Sequence, residues 1–190
     1  MKKIKLLILG ITVLAFNGCY DPPAREMQGL DYDSLDELVN TSDRVLILKK
    51  LENELNFIVE EEEYLSFKFS VIEKIKGSSS EGDEIFITFL KSDLDDLFVL
   101  DKRLKKFDQS FDDQEYLFFL IGRARKNIFP KELGGSLWFK NGNPSIFELR
   151  KDSIGIISKE ILLQSQNKSF LEILEMPETK FLSLVRSFNE

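Results

Sequence analysis

The sequence contains no histidine, and its single cysteine is Cys19. Without histidine, the chain has no Ser-His-Asp or Cys-His nucleophile system and no histidine-bearing zinc site. It also lacks G-x-x-x-x-G-K-S/T and G-x-G-x-x-G, the glycine-rich stretches that bind phosphates through backbone amides. We therefore predict no catalytic residue, no metal ligand and no cofactor.

The carboxylates are the remaining candidates for chemistry. The run Glu60–Glu63 places four like charges side by side, which favours a solvated hairpin loop over a weak cation site. The stretch SDLDDL, which begins at Ser92, lacks the central glycine and terminal glutamate of an EF-hand loop, so charge at a helix N-terminus is favoured over calcium binding. Two acids are enough for glycoside hydrolysis, but the spacing selects no pair.

The amino-terminal segment reads MKKIKLLILGITVLAFNGC. Three lysines precede an apolar run from Leu6 to Phe16. That run is too short to cross a hydrocarbon core about 30 Å thick, for which about 20 residues are needed. A basic start followed by a short apolar run is typical of an export signal.

The stretch Phe16-Asn17-Gly18-Cys19 resembles the lipobox of bacterial lipoproteins, in which a small residue directly precedes an invariant cysteine. The resemblance implies cleavage between Gly18 and Cys19, a diacylglyceryl thioether on Cys19, and further acylation of the new amino terminus, for example by palmitate. Stable anchoring takes about two chains, since each buried CH₂ contributes about 0.8 kcal/mol. The alternative is a free thiol, which in an exported protein is liable to oxidation and irregular pairing.

Acidic groups outnumber basic ones in the remainder of the chain. Removing residues 1–18 leaves 23 basic and 33 acidic side chains, a formal charge of −10. Such a body does not bind nucleic acid non-specifically, and anionic lipid repels it, so the anchor has to hold it at the membrane. The following segment, 20–32, contains Pro22, Pro23 and Gly29, which predicts a tether.

Residues 33–190 have the length and apolar content of one domain. A capping box from Ser34 to Glu37 predicts a short helix over about 35–41. An amphipathic helix is expected over 92–107. After Pro177, the stripe Phe181, Leu184, Val185 and Phe188 predicts a helix that packs against the sheet or, alternatively, binds a partner.

The strand pattern gives the order of elements. Alternating or wholly apolar runs predict strands at 44–51, 64–75, 84–90, 116–121 and 137–149. Asn141-Gly142 predicts a hairpin turn within the last of these, and the following Asn143-Pro144 makes the turn longer than two residues or adds a bulge. The basic groups around Lys102–Lys106 and Arg123–Lys126 are interpreted as solubilising surface rather than contacts to an acidic partner, and Trp138 and Phe139 as core rather than a ligand platform.

Five segments resemble a series of motifs in uncharacterised exported bacterial proteins: Ser42–Val45, Phe69–Gly77, Gly82–Ile85, Glu115–Leu120 and Gly134–Ser136. They mark strand ends and turns, and the resemblance implies a fold similar to the OB-type barrels of netrin and metalloprotease-inhibitor modules. The cysteines of those modules are absent, so inhibition is not carried over. Together with the strand order, this predicts a mainly β (α+β) fold, a small OB-like barrel of five to six strands with a short N-terminal helix and a C-terminal amphipathic helix.

These observations predict an exported protein with a signal peptide at 1–18, a lipidated tether at 19–32 and one barrel-like domain at 33–190. The expected function is non-catalytic binding in the cell envelope. The expected partners are the membrane, through Cys19, and an envelope protein, with no nucleic acid; the destination is the outer membrane if the source is Gram-negative. The alternatives are an acid-only envelope enzyme such as a glycan hydrolase, and an inhibitor or immunity-type lipoprotein.

Overall fold

The computed structural model describes residues 32–92, 114–124, 126–142, 144–150, 153–156, 170 and 172–189. Within these ranges the chain is mainly β. The strands are β1 (Arg44–Val59), β2 (Glu62–Lys76), β3 (Glu84–Leu90), β4 (Glu115–Ala124), β5 (Ser136–Lys140), β6 (Ile146–Arg150) and β7 (Ser153–Ile156). The helices are α1 (Leu35–Thr41) and α2 (Glu178–Ser187), and 3₁₀ turns span Lys131–Leu133 and Glu172–Glu175.

The strands form a barrel-like sheet. Neighbours follow the order β1-β2-β3-β5-β4, and β4 pairs back with β1. All pairs in this circuit are antiparallel except β3 and β5, which are parallel and share one paired position, Ile87 with Trp138. With so little pairing there, the barrel is not closed, as in partly open OB-type barrels. The predicted mainly β fold with an OB-like barrel is confirmed.

The first hairpin is longer than the sequence pattern predicts. β1 continues beyond residue 51 to Val59 and pairs with β2 across a two-residue turn, Glu60-Glu61. The register shifts between Lys50 and Glu54, which marks a bulge. The polar sequence around this bulge interrupts the apolar alternation, so the sequence pattern did not predict the second half of the strand.

The prediction of a hairpin turn at Asn141-Gly142 is wrong. β5 and β6 do not pair with each other; they lie one after the other along the same edge of β4. Asn141 N donates to Phe119 O at 2.8 Å and Phe119 N donates to Ser145 O at 2.9 Å, so the connecting residues stay bonded to β4. Of Asn141 and Gly142, Gly142 alone takes positive φ, whereas a type I′ turn needs positive φ at both central positions.

Two apolar clusters hold the sheet. The barrel interior, here called the inner cluster, consists of Leu46, Leu48, Phe67, Phe69, Val71, Ile85, Ile87, Phe89, Tyr116, Phe118, Leu120 and Ile146. On the other side of β1, β4 and β6, the helix-face cluster joins Val45, Ile47, Leu117, Phe119 and Phe147 to residues of α1 and α2. The alternation of inward and outward side chains along each strand produces both clusters.

Both described helices begin where the sequence predicts. Ser34 Oγ accepts from Glu37 N at 3.2 Å, which caps α1. α2 follows Pro177 and buries Phe181, Leu182 and Val185. The Phe181 ring lies 5.1 Å from the Phe147 ring on β6, so the predicted packing of this helix against the sheet is confirmed.

Several predictions concern residues outside the described ranges or at their edge. The helix expected over 92–107 lies outside the described residues from residue 93 onward, and so does the tether up to residue 31. Tyr32, assigned to the tether by the sequence, is buried in the helix-face cluster. Among the described residues, no helix combines the length and the apolar character that a membrane span requires.

Candidate functional site

The predicted lipidation site, Cys19, and the residue before its cleavage point, Gly18, lie outside the described residues. The same holds for the aspartates from Asp93 to Asp113, for Lys102–Lys106 and for Arg125. The structure therefore locates the other candidates: the glutamate run, the aromatic residues of β5 and the remaining charged groups.

The glutamate run lies at the tip of the β1–β2 hairpin. Val59 pairs with Glu62, and the two turn residues Glu60 and Glu61 have φ of 52° and 71°. Glu60, Glu61 and Glu62 are exposed, as predicted for a solvated loop. Positive φ at both positions gives the twist that a two-residue hairpin needs, although glutamate disfavours this conformation.

Glu63 differs from its neighbours because it has a cationic partner. Lys91 Nζ donates to Glu63 Oε1 at 2.7 Å, and Asn56 Nδ2 donates to the same oxygen at 3.1 Å. These hydrogen bonds, the one from Lys91 first, lower the pKa of Glu63. Within the part of the chain that the structure describes, no three acidic or thiol groups gather closely enough to hold a metal ion.

Three rings from two separate parts of the chain form an aromatic cluster, defined here as Phe57, Tyr64 and Phe129. Phe57 and Tyr64 are cross-strand partners on β1 and β2, stacked with centroids 5.6 Å apart. Phe129, in the segment between β4 and β5, meets both edge-on at 5.9 and 5.7 Å. All three rings are half-buried, so part of each ring faces solvent.

Buried residues support the aromatic cluster from below. Leu133, Leu137 and Phe139 are its buried neighbours. Arg123 Cζ lies 5.7 Å from the Phe139 ring centroid. The interpretation of Phe139 as core is confirmed, since only 4% of it is exposed.

Two isoleucines near the aromatic cluster are exposed. Ile58 follows Phe57 in the chain and is 70% exposed, and Ile128 precedes Phe129 and is 53% exposed. Ile72, further along β2, is 38% exposed and lies away from the hairpin tip. The hairpin and the 126–133 segment therefore combine half-buried rings with large apolar side chains in solvent.

The Tyr64 hydroxyl is held by a carboxylate. It donates to Glu62 Oε2 at 2.5 Å. Burial, followed by this hydrogen bond, raises the pKa of Tyr64 to about 12. The phenol therefore stays protonated and fixes the ring beside the hairpin turn, which is a positioning role and no step in proton transfer near neutral pH.

Trp138 is half-buried and fixes the start of β1. The Arg44 guanidinium lies 3.7 Å above its ring and donates to Ser79 Oγ at 2.5 Å. Burial lowers the pKa of Arg44, and Asp83 and Asp43 oppose this effect. Gly122 also lies against the ring, because an added Cβ there would come within 2.7 Å of Trp138. This packing accounts for Trp138 as a structural residue.

A buried hydrogen-bond network joins the entry of the domain to the end of β5. Tyr32 Oη donates to Asn141 Oδ1 at 2.5 Å, and Asn141 Nδ2 donates to Ser42 Oγ at 2.9 Å and to Thr41 Oγ1 at 3.1 Å. The chain therefore enters the folded domain beside the N-terminal end of β1.

Among the carboxyl groups of the described residues, that of Glu178 has a raised pKa. Burial, and then repulsion from Glu115 on β4, raise the pKa of Glu178 in the first turn of α2. An unfavourable environment of this kind occurs in carboxylate catalysts and in ordinary packed helices. The sequence did not select this pair, because the two acids are 63 positions apart in the chain.

Sequence reasoning also missed the aromatic cluster. Tyr64 was recognised only as the beginning of an alternating strand, and Phe57 lay in a segment assigned to no element. The single available signal was the apolar Ile128-Phe129 pair inside an otherwise polar connection. No protein-family model matches the sequence, and no curated protein is significantly similar to it.

Proposed function

We propose that this protein is a lipid-anchored binding domain of the bacterial cell envelope, without catalytic activity of its own. In this proposal it is exported, cut after Gly18 and held in the membrane by acyl chains on Cys19, in the outer membrane if the cell is Gram-negative. The observation that carries the binding role is the half-buried aromatic cluster, flanked in the chain by the exposed side chains of Ile58 and Ile128.

Such a surface has the composition of a contact site. Aromatic and large apolar side chains are enriched at the centres of protein interfaces, and they leave water when a partner covers them. The helix-face cluster is already covered by α1 and α2. The aromatic cluster is covered only in part, so it is the apolar region of the described chain with most to gain from a partner.

The location also favours binding. In OB-type barrels the face of strands 2 and 3, together with the loops between strands 1 and 2 and between strands 4 and 5, commonly receives ligands. The aromatic cluster is built from the β1–β2 hairpin and from the β4–β5 segment. This is an analogy of fold, which supports a binding face without naming its ligand.

The charge of the surface disfavours nucleic acid. Three exposed glutamates stand at the hairpin tip beside the aromatic cluster, and they would repel a phosphate backbone. A protein of the envelope is therefore the proposed partner. The acid-only enzyme remains an alternative, and the Glu115–Glu178 pair is the described feature that it would use.

Site-specific photocrosslinking in living cells tests the proposal. A photoreactive residue replaces Ile128, beside the aromatic cluster, and Ile72 receives the same residue as a matched control at another exposed isoleucine. We expect an envelope protein to crosslink at 128 and not at 72, and the Phe57→Ser variant to lose that adduct. Equal labelling at both positions, or none at 128, would overturn the binding role of the aromatic cluster.

A further inference from the structure

The outer half of the β1–β2 hairpin extends past the barrel strands that flank it. β1 pairs with β4 only from Arg44 to Lys49. β2 pairs with β3 up to Tyr64, and the hairpin continues beyond that position to its turn. The tip is defined here as residues 57–64. Among the described residues it is held by its own cross-strand pairs, by the contacts of Phe57 and Tyr64 with Phe129, and by the Lys91–Glu63 ion pair.

All charged side chains of the tip are acidic. Residues 51–67 contain six glutamates and neither lysine nor arginine, in a chain whose formal charge is −7. Lys91 binds Glu63, whereas Glu60, Glu61 and Glu62 are exposed, although Glu62 also accepts the Tyr64 hydroxyl. Negative charge is thus concentrated where the chain extends furthest from its barrel pairing.

An apolar side chain stands within this acidic tip. Ile58 is 70% exposed, the highest value among the exposed large hydrophobic residues of the described chain. Its cross-strand partner is Glu63. The opposite face of the same strand carries Phe57 of the aromatic cluster. The tip therefore has apolar groups on both faces and a negative rim.

From this combination we infer that the hairpin tip is the docking element, and that its partner is a protein with a basic surface around an apolar cavity that receives Ile58. The inference rests on the proposed binding function and adds the chemistry of the partner. Complementary charge around a small apolar centre steers association and excludes partners of the wrong sign. Glu60, Glu61 and Glu62 supply the rim, and Ile58 supplies the centre.

Other candidate partners of the hairpin tip fit less well. Anionic lipid and nucleic acid carry the same sign of charge as the tip. A second copy docked tip to tip would place like charges opposite each other, which is unfavourable. The tip also lies at the C-terminal end of β1, whereas Tyr32 and Ser42 fix the chain's entry at its N-terminal end. A tether that enters there leaves the tip accessible to a partner.

The experiment places the photocrosslinking residue at position 58 in the full, lipidated chain. It is combined with Glu60→Lys/Glu61→Lys or with the control Glu81→Lys/Glu172→Lys, which reverses two exposed charges elsewhere. We expect an adduct with a protein whose crosslinked peptide adjoins lysine or arginine. We also expect its yield to fall at least about tenfold in the tip variant and to stay unchanged in the control. Reversal of the adjoining partner residues to glutamate should restore the adduct of the tip variant.

Each other result overturns the inference. A lipid adduct, an adduct of twice the chain's own mass, or equal losses in the two charge variants would show a different occupant or a general effect of charge. If changing the partner's adjoining residues to glutamate did not restore the adduct of the tip variant, the inferred basic surface of the partner would be rejected. An adduct at 128 with none at 58 would support the proposed binding function but reject the hairpin tip as its docking element. Adducts at neither position would reject both.

Discussion

At the scale of single residues, Glu60 and Glu61 occupy a conformation that other residues adopt more easily. Their φ values of 52° and 71° lie in the left-handed region, where an L-residue with a side chain costs about 1–2 kcal/mol. Asn-Gly is the preferred pair for this two-residue turn. We expect Glu60→Asn/Glu61→Gly to raise the free energy of unfolding by about 1 kcal/mol, measured by urea denaturation.

The matched control for the turn is Glu81→Asn, which removes an exposed glutamate beside Gly82 at a position without positive φ. It should change stability by less than about 0.5 kcal/mol. If the control stabilised the protein as much as the turn variant, relief of charge repulsion rather than of backbone strain would be the cause. A more stable turn variant that no longer crosslinks at position 58 would show that the glutamates are kept for binding.

Asn141 is the residue on which the entry of the domain depends. Its side chain is 3% exposed and bonds Tyr32, Thr41 and Ser42. Asn141→Ala leaves these groups with unmet hydrogen bonds, so we expect a loss of about 3 kcal/mol in unfolding free energy. Asn40→Ala, which removes only an exposed bond to Asp36, should cost less than about 1 kcal/mol. Equal losses in the two variants would contradict the role given to the network.

At the scale of elements, the sequence predicts those whose local signals agree with their packing. Ser34 and Glu37 indicate the start of α1, and the alternation around Phe67 and Phe69 indicates β2. The signal at Asn141-Gly142 points to a hairpin, but β4 pairs with the segments on both sides of it and removes the need for one. Tertiary pairing, which no local pattern records, decides that connection.

Glu178 in helix α2 should make the stability of the protein depend on pH. The folded-state pKa of Glu178 is raised above 4.5 by burial and by Glu115, so the native state keeps this proton to higher pH than the unfolded chain does. Stability from this group therefore falls as pH rises from the unfolded pKa through the folded pKa. We expect Glu178→Gln to raise the melting temperature near neutral pH and to have little effect below pH 4.5.

Glu172→Gln is the control for this helix, because Glu172 is exposed in the preceding 3₁₀ turn. The melting temperature of this control should equal that of the wild type both near neutral pH and below pH 4.5. A gain for Glu178→Gln that is larger at acid pH than at neutral pH would reverse the sign and contradict the assigned burial. Loss of turnover on an envelope glycan in the same variant would favour the acid-only enzyme instead.

At the scale of the whole molecule, the fold was more predictable than the candidate site. Strand order and the periodicity of apolar residues are properties of neighbouring positions, and they sufficed for an OB-like barrel. The aromatic cluster joins Phe57 and Tyr64 to Phe129, 65 positions after Tyr64. Only the folded arrangement of the β1–β2 hairpin and the β4–β5 segment brings these rings together, so the apolar Ile128-Phe129 pair was not enough to predict the cluster.

The proposed function combines two separate properties, an anchor predicted from the sequence and a partly exposed aromatic cluster in the fold. Tyr32 lies between them in the chain and is fixed in the core beside the start of β1. The cluster and the hairpin tip can act as proposed only if the protein is held in the envelope. The chemistry at Cys19 is therefore the claim on which the remainder depends.

Intact-mass analysis of the protein extracted from membranes measures that chemistry directly. The expected result is a chain that begins at Cys19 and carries the mass of a diacylglyceryl group, with a Cys19→Ser variant that is neither lipidated nor retained in the membrane fraction. A chain that still begins at Met1, or an unmodified Cys19 thiol on protein that sediments with membranes, would contradict it.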